Sequence, residues 1–437
     1  MASDDRSDAI SESRRKYLAG LGAAGIAGIA GCGGNGGNDG SSSSSSSTST
    51  TTGSSSGGSK TLTLGAAISQ TGELSKEGGL YLDSYKMTIQ DVNDQGGLDI
   101  DGTTYEFDLK TYDDQSDPSK SRQLFQKLIE EDDVQYLLGP YSSGVTLAAQ
   151  PVVQQHKLPM VEGGGSSTDI FSDSNEYVFG TLATAPHYAD GVLSLADTYT
   201  DPEVQEVALA YQNDIFSKGT ASGVRDLCDQ YGWDVVVDES FPSGANDLSS
   251  ILNKVKNADP QVFVVAGHYK HAVLAVKQMK QYGVDVPMTV ETVGATTSDF
   301  IDELGDSGNY VYGTSQWASN ANYDGFFYGS APDYVERFGK MYDYSPDYHN
   351  ASGSACILTY LNAFKQAGST DPGAVRDALA NTDITTFFGS VKFGSNGANV
   401  GKKTVGYQWQ KKKKKLVAPK SIAAADPVYP APTWSER

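Results

Sequence analysis

Short apolar runs alternate with segments of helical periodicity from residue 62 onward, and this alternation limits the fold more than any other feature. The first runs cover residues 62–68, 80–92, 105–112 and 118–131, and a second series begins at Glu206. Strands that alternate with helices in this way form parallel sheets covered by helices on both faces. Because the number of such units exceeds what one sheet comfortably holds, the pattern predicts two α/β lobes.

The charge of the chain is strongly one-sided, with 33 Lys and Arg against 54 Asp and Glu and a net charge of −21. A generic nucleic-acid binder is excluded, because phosphate backbones are neutralised by basic surfaces. So acidic a body repels itself unless counter-ions screen it, and we therefore expect a halophilic, high-salt host.

The first 32 residues have the three parts of an export signal. Paired arginines, Arg14 and Arg15, precede a small apolar stretch at 18–30, which is shorter than the roughly 20 residues that cross a bilayer. The arginine pair resembles a twin-arginine signal. Residues 29–32, ending in Cys32, resemble a lipobox, whose cysteine receives lipid and becomes the mature amino terminus. The alternative is an ordinary signal followed by an unrelated cysteine.

A linker at 33–60 follows, and its residues 33–59 are only Gly, Ser, Thr, Asn and Asp. Such a segment can bury nothing and is expected to be a disordered tether. We therefore expect an extracytoplasmic protein at the cell surface, anchored to the membrane by lipid at Cys32. Cys228 and Cys356 are the remaining cysteines, and the sequence leaves open a disulfide or two buried thiols.

Four loops are expected at the carboxyl ends of strands, where open parallel sheets bind ligands. They cover 139–144, 163–168, 213–219 and 291–297. With the segments SQTG at 69–72, DVNDQGGL at 91–98, DDQSDP at 113–118 and LGPYSS at 138–143, these loops resemble, in order, one protein family. It is the branched-chain amino-acid-binding (Leu/Ile/Val-binding type) family of ABC-transporter substrate-binding proteins.

The resemblance runs from about residue 62 to about residue 430 and implies the type I periplasmic-binding-protein fold. In that fold, two Rossmann-like lobes with parallel central sheets are joined by a three-crossover hinge. We accordingly expect lobe 1 at 61–184 and 318–404, and lobe 2 at 185–317 and 405–430. The implied partners are a small-molecule ligand and an ABC permease in the membrane.

The first-lobe candidates lie in two of the four loops. Ser142 and Ser143 stand where a strand meets a helix, and free backbone N–H groups there favour an anion; simple helix capping is the alternative. Gly164 and Gly165 are expected to let a ligand approach the backbone closely. The resemblance implies that Ser143 and Ser166 bind a carboxylate and that the Gly164 carbonyl accepts from an ammonium group.

The second-lobe candidates are Glu291, Phe216 and His268. Glu291 directly follows an apolar strand and matches the segment that supplies the family's acidic contact to the ammonium group; the alternative is an ordinary surface acid. Phe216 stands where the family often has tyrosine, which predicts an apolar wall. His268, next to Tyr269, falls at another aromatic position of the pocket.

Other chemistry finds little support in the sequence. The five histidines form no metal-binding helix pair, none sits beside a serine elbow of the G-x-S-x-G kind, and no phosphate-cradling Gly-Lys-Ser/Thr motif is present. We therefore expect no enzyme, no catalytic or metal site and no cofactor, and the missing nucleophile–base pair disfavours a secreted hydrolase. The same fold could bind an amide, a urea or a small organic acid, although Glu291 argues against an acid, or it could act as a sensory receptor.

Overall fold

The computed structural model describes residues 59–323 and 325–437. The expected signal segment, Cys32 and the tether as far as residue 58 lie outside the described residues. The predicted alternation of strands and helices is confirmed over the body of the chain, which forms a mixed α/β structure with two lobes.

The first lobe is built on a six-stranded sheet. Its order is β2-β3-β1-β4-β5-β6, and all its pairs are parallel except the β2–β3 hairpin. The strands are β1 (Lys60–Ile68), β2 (Leu98–Ile100), β3 (Thr103–Asp113), β4 (Tyr136–Leu138), β5 (Met160–Glu162) and β6 (Val178–Gly180). Strands β4, β5 and β6 are buried along their whole length, as expected of a parallel sheet with both faces covered.

The second lobe is built on a seven-stranded sheet of order β15-β14-β11-β10-β9-β7-β8. Its strands are β7 (Glu206–Gln212), β8 (Asp234–Phe241), β9 (Val262–Ala266), β10 (Met288–Glu291), β11 (Tyr312–Ser315), β14 (Val405–Gln410) and β15 (Lys413–Ala418). The hairpin of β14 and β15 adds to β11 in antiparallel fashion. A separate hairpin pairs β12 (Asp383–Thr386) with β13 (Gly389–Lys392).

Eleven α-helices accompany these strands in the described part of the chain. They are α1 (Ser75–Asp94), α2 (Pro118–Glu130), α3 (Ser143–His156), α4 (Asp190–Ala196), α5 (Ile215–Tyr231), α6 (Ser249–Ala258), α7 (Tyr269–Tyr282), α8 (Ser298–Leu304), α9 (Ala331–Gly339), α10 (Tyr348–Ala367) and α11 (Pro372–Ala380). None of the described helices is long and apolar enough to cross a membrane.

The chain passes between the sheets three times, after β6, after β11 and before β14. Helix α10 belongs with the first lobe, because it packs on α1 and β5. Cys228 lies in α5 and Cys356 in α10, and both are buried free thiols. The open question of a disulfide is therefore resolved in favour of two unpaired cysteines.

Candidate ligand-binding site

The two lobes touch at the carboxyl ends of their strands. The Tyr141 hydroxyl of the first lobe lies 2.8 Å from Nδ1 of His268 in the second. The Tyr269 N–H donates to the Glu77 carboxylate over 3.1 Å, and Lys76 forms an ion pair with Asp299. The cleft between the lobes is therefore closed, and the expected site residues on its walls are buried except for Ser142, which is half-buried.

The two serines do not cap the helix that they begin. Ser142 occupies the position before α3 without a side-chain capping bond, and the Ser143 hydroxyl instead accepts from the N–H groups of Ser166 (2.9 Å) and Ser167 (3.1 Å). The capping alternative is therefore wrong. No described residue accepts from the N–H groups of Ser143 and Gly144. With its lone pairs engaged, the Ser143 hydroxyl keeps its hydrogen to donate.

Glu162, which was not predicted as a site residue, binds the backbone of the glycine loop. Its Oε2 accepts from the N–H groups of Gly164 (2.9 Å) and Gly165 (2.5 Å), while its Oε1 has no partner within the described residues. Burial raises the pKa of this carboxyl to about 8, although the two glycine bonds oppose the rise. The signal was present in the sequence, because Glu162 directly follows an apolar strand in the same manner as Glu291.

The glycines of this loop are required by the packing of the protein itself. A Cβ atom on Gly164 would lie 2.5 Å from the Pro140 carbonyl oxygen, and one on Gly165 would lie 2.7 Å from Cδ1 of Ile170. Packing thus adds a second reason for glycine to the expected approach of a ligand, which stays a prediction. The Gly164 carbonyl receives no hydrogen bond from any described residue, so it is free to accept from a ligand.

Glu291 ends β10 with its side chain 1% exposed. Neither carboxylate oxygen has a partner among the residues that the structure describes, and burial raises its pKa well above the ordinary value. It is thus not an ordinary surface acid. A buried carboxylate without a partner is costly, so it takes up a proton or receives a cationic group. Val293, two residues further on, packs in the same apolar cluster as Phe216 and Tyr141.

Phe216 and His268 belong to a closed ring of six aromatic side chains, which we call the cleft ring. Its neighbouring centroids are Tyr141–His268 at 5.6 Å, His268–Phe216 at 5.5 Å, Phe216–Tyr188 at 4.9 Å, Tyr188–Tyr348 at 6.3 Å, Tyr348–His349 at 4.0 Å and His349–Tyr141 at 5.6 Å. All six side chains are buried. The ring draws on both lobes, so it is complete only when the cleft is closed.

Of the two neighbouring residues His268 and Tyr269, His268 is the one that belongs to the cleft ring. The Tyr269 hydroxyl turns outward to Glu303, whereas Nε2 of His268 lies 3.7 Å from the Asp214 carboxylate. The sequence analysis missed Tyr348 and His349. No local pattern predicted them, because about 200 residues of chain separate them from the first-lobe loops at 139–144 and 163–168.

Comparison with known proteins agrees with this architecture. A model of the periplasmic binding protein family matches residues 61–414. The Leu/Ile/Val-binding protein homolog 7 of Brucella abortus (strain 2308) is 23% identical over 386 residues, which cover 84% of this chain and 94% of that protein.

Two solved structures are also similar. One is the branched-chain amino acid transporter substrate binding protein LivJ from Streptococcus pneumoniae in complex with isoleucine, with a TM-score of 0.73 and 21% identity over 82% of this chain and all of the other. The second is an ABC transporter solute binding protein from R. palustris in complex with benzoate, with a TM-score of 0.69 and 16% identity over 85% of this chain and 99% of the other. The family match spans most of the chain and the folds agree, and the chain therefore belongs to the periplasmic binding protein family.

Proposed function

We propose that this chain is an extracellular, lipid-anchored solute-binding protein of an ABC importer. It binds a branched-chain or related amino acid in the cleft between its lobes and delivers it to a membrane permease. The observation that carries the proposal is Glu291, a buried carboxylate that meets no cation among the described residues. The names of the relatives, which include Leu/Ile/Val-binding proteins, support the same class of ligand.

The two halves of an α-amino acid head group find complementary partners in the cleft. The ammonium group is assigned to Glu291 and the Gly164 carbonyl, which accept hydrogen bonds. The carboxylate is assigned to the hydroxyls of Ser143 and Ser166 and to the free N–H groups at the start of α3, where the helix dipole favours an anion. Ser142, Gly165, Phe216 and His268 complete the wall.

The mechanism is hinge closure without covalent chemistry, in keeping with a family of binding proteins. We assign residues 61–184 and 318–404 to one rigid lobe and residues 185–317 and 405–430 to the other. The ligand stabilises the closed form because its head group bridges the lobes. The permease then recognises the closed form.

The proposal also includes the cellular location of the protein. Membership of the family places the mature protein outside the cytoplasm. Export by a twin-arginine signal, lipid attachment at Cys32 and adaptation to high salt are inferred from the composition of the sequence. Mass spectrometry of the membrane-extracted protein tests the anchor, because a diacylglyceryl group on Cys32 is the expected result and an unmodified amino terminus contradicts it.

The ligand class is tested by thermal unfolding in high salt with a panel of amino acids, amides, urea and small organic acids. We expect at least one amino acid to raise the melting temperature, since binding to the folded state alone stabilises it. A rise with amides or organic acids only would assign the same fold to a different ligand. Because a similar fold also binds benzoate, the fold by itself does not decide this point.

A further inference from the structure

The polar atoms of the cleft ring have polar partners inside or outside the ring, with one exception. The Tyr141 hydroxyl meets His268, and the Tyr188 hydroxyl donates to the Tyr348 hydroxyl over 3.0 Å. His349 is fully buried, yet its Nε2 has no partner in residues 59–323 and 325–437. A buried polar atom without a partner is uncommon in native structures and calls for a specific explanation.

The other edge of the His349 ring is held by Asp347. Nδ1 lies 2.9 Å from Oδ2 and 3.1 Å from Oδ1 of that carboxylate, which also accepts from the His349 N–H at the start of α10. Burial acts against ionisation of Asp347, but the His349 imidazole and the Lys414 ammonium outweigh it and hold the pKa of this carboxyl below its ordinary value. An ionised carboxylate only accepts hydrogen bonds, so the imidazole hydrogen lies on Nδ1.

A second basic side chain lies near Asp347. Lys414 donates to the Thr296 carbonyl over 2.6 Å, while the Thr296 hydroxyl lies 3.5 Å from Asp347. Burial lowers the pKa of Lys414, and its ammonium group in turn helps to lower the pKa of the Asp347 carboxyl. In a neutral imidazole with its hydrogen on Nδ1, Nε2 presents a lone pair.

We propose that Nε2 of His349 determines specificity by accepting a hydrogen bond from the side chain of the ligand. The ligand class is then a small amino acid that carries a hydroxyl or amide donor, rather than a purely aliphatic one. The inference rests on the proposed function, because it takes the head group to be bound by Glu291 and the serines. It narrows the choice of side chain, which the head-group contacts leave open.

The physical basis is the cost of burying an acceptor without a donor. An aliphatic side chain in the closed cleft leaves Nε2 unpaired, whereas a hydroxyl or amide hydrogen pairs it. A site built to hydrogen-bond a ligand group discriminates strongly against the analogue that lacks it. We expect a preference of about 10- to 100-fold, which corresponds to the usual penalty of an unpaired buried polar atom.

Two pairs of amino acids of similar shape test the inference by calorimetry on the full chain in high salt. Threonine differs from valine by a hydroxyl in place of a methyl group, and asparagine differs from leucine by an amide in place of an isopropyl group. Threonine and asparagine are expected to bind about 10- to 100-fold more tightly than their partners. The replacement His349→Phe keeps an aromatic ring but removes Nε2, and it should bring both ratios close to one.

His271→Phe is the matched control. His271 is also fully buried, but it lies inside the second lobe against the ring of Phe241, at 5.0 Å, and outside the cleft ring. Its replacement should leave both ratios unchanged.

The possible results separate the two hypotheses. Valine and leucine binding as tightly as threonine and asparagine would overturn the inference and leave the proposed function intact, whether or not His349→Phe folds. Tighter binding of aspartate than of asparagine would also overturn it, since the imidazole would then act as a charged donor. Failure of every amino acid to bind would instead contradict the proposed function.

Discussion

A strand in each lobe ends with a buried glutamate, and the two glutamates differ in their hydrogen bonds. Glu162 follows Met160 and Val161 in the first lobe, and Glu291 follows Val290 in the second. Their exposed fractions are 0% and 1%. Glu162 receives two backbone N–H groups from the loop that follows it, whereas Glu291 has no partner in the described part of the chain.

The loop after each strand explains the difference. Three glycines follow Glu162 and let the backbone turn back so that its N–H groups face the carboxylate. After Glu291, the Thr292 N–H continues the sheet by donating to the Val265 carbonyl, and the Thr292 hydroxyl accepts from the Gly267 N–H. The second loop therefore leaves its carboxylate unpaired. One lobe uses its acid to build a wall of the cleft, and we infer that the other lobe keeps its acid for the ligand.

The largest expected effect is on Glu291. Replacing it with glutamine removes the anion that pairs with the ammonium group, and the affinity for an amino acid should fall about 100- to 1,000-fold. Ligand-free stability at pH 8 should hold or rise, because glutamine keeps the shape of the side chain and cannot carry a buried charge. Titration calorimetry and thermal unfolding measure the two quantities.

Glu303→Gln is the control for this replacement. Glu303 lies in the same lobe, but it is partly exposed and paired with Lys277 at 2.6 Å, so its loss should leave the affinity unchanged. An unchanged affinity in Glu291→Gln would remove Glu291 from the site and erase the contrast between the two strands.

The second effect is the pH dependence of stability from Glu162. Its pKa is raised by burial to about 8 in the folded protein, above the value of an unfolded chain. The folded state thus holds an extra proton between about pH 4.5 and pH 8, and the stabilisation present below that window is lost as the pH rises through it. The contribution of Glu162 to the free energy of unfolding should fall by on the order of 5 kcal/mol across the window.

Glu162→Gln tests this assignment. It removes the titration but keeps an oxygen for the two glycine N–H groups, so the profile of the free energy of unfolding should flatten in this range of pH. Ligand affinity should change less than in Glu291→Gln. A variant that binds as poorly as Glu291→Gln would show that the two acids act alike.

The comparison also explains what the sequence could predict. At Glu162 and at Glu291, an acidic residue next to an apolar run correctly predicted the end of a strand. The same pattern does not predict whether the N–H groups of the following loop will bind the carboxylate. Strands β1 and β3 of the first lobe were predicted to within two residues from the runs at 62–68 and 105–112, whereas the short strands β2 and β6 were not predicted. The hairpin of β14 and β15 was not predicted, since its lysine run at 411–415 resembles a solvated surface. Lys411 and Lys412 in fact form its turn, with φ of 52° and 58°.

The closure of the cleft ring was beyond local sequence reasoning for a different reason. His268 and Phe216 were selected by position, but their contacts depend on Tyr188 and Tyr348, which arrive from a crossover and from α10. Such contacts are fixed by the packing of one lobe against the other, and no short segment encodes them.

The third effect concerns the serine pair, which shares the support of the glycine loop with Glu162. Ser143→Ala leaves the N–H groups of Ser166 and Ser167 buried without an acceptor and should lower the free energy of unfolding by about 1–3 kcal/mol, with weaker ligand binding. Ser142→Ala is the matched control, because the Ser142 side chain makes no capping bond, and its effect on stability should be smaller. Equal losses in denaturant unfolding would contradict the division of roles.

The smallest expected effect is at the rim of the cleft, where Lys76 and Asp299 pair across the lobes with side-chain exposures of 29% and 43%. Exposed pairs contribute up to about 1 kcal/mol and are screened by salt. Lys76→Ala should therefore weaken ligand binding by no more than about five-fold in dilute buffer and by less in concentrated salt. Lys277→Ala breaks a pair within one lobe and should not alter affinity at either salt concentration. A salt-independent loss of affinity in Lys76→Ala would mean that closure depends on the rim rather than on the buried carboxylate of Glu291.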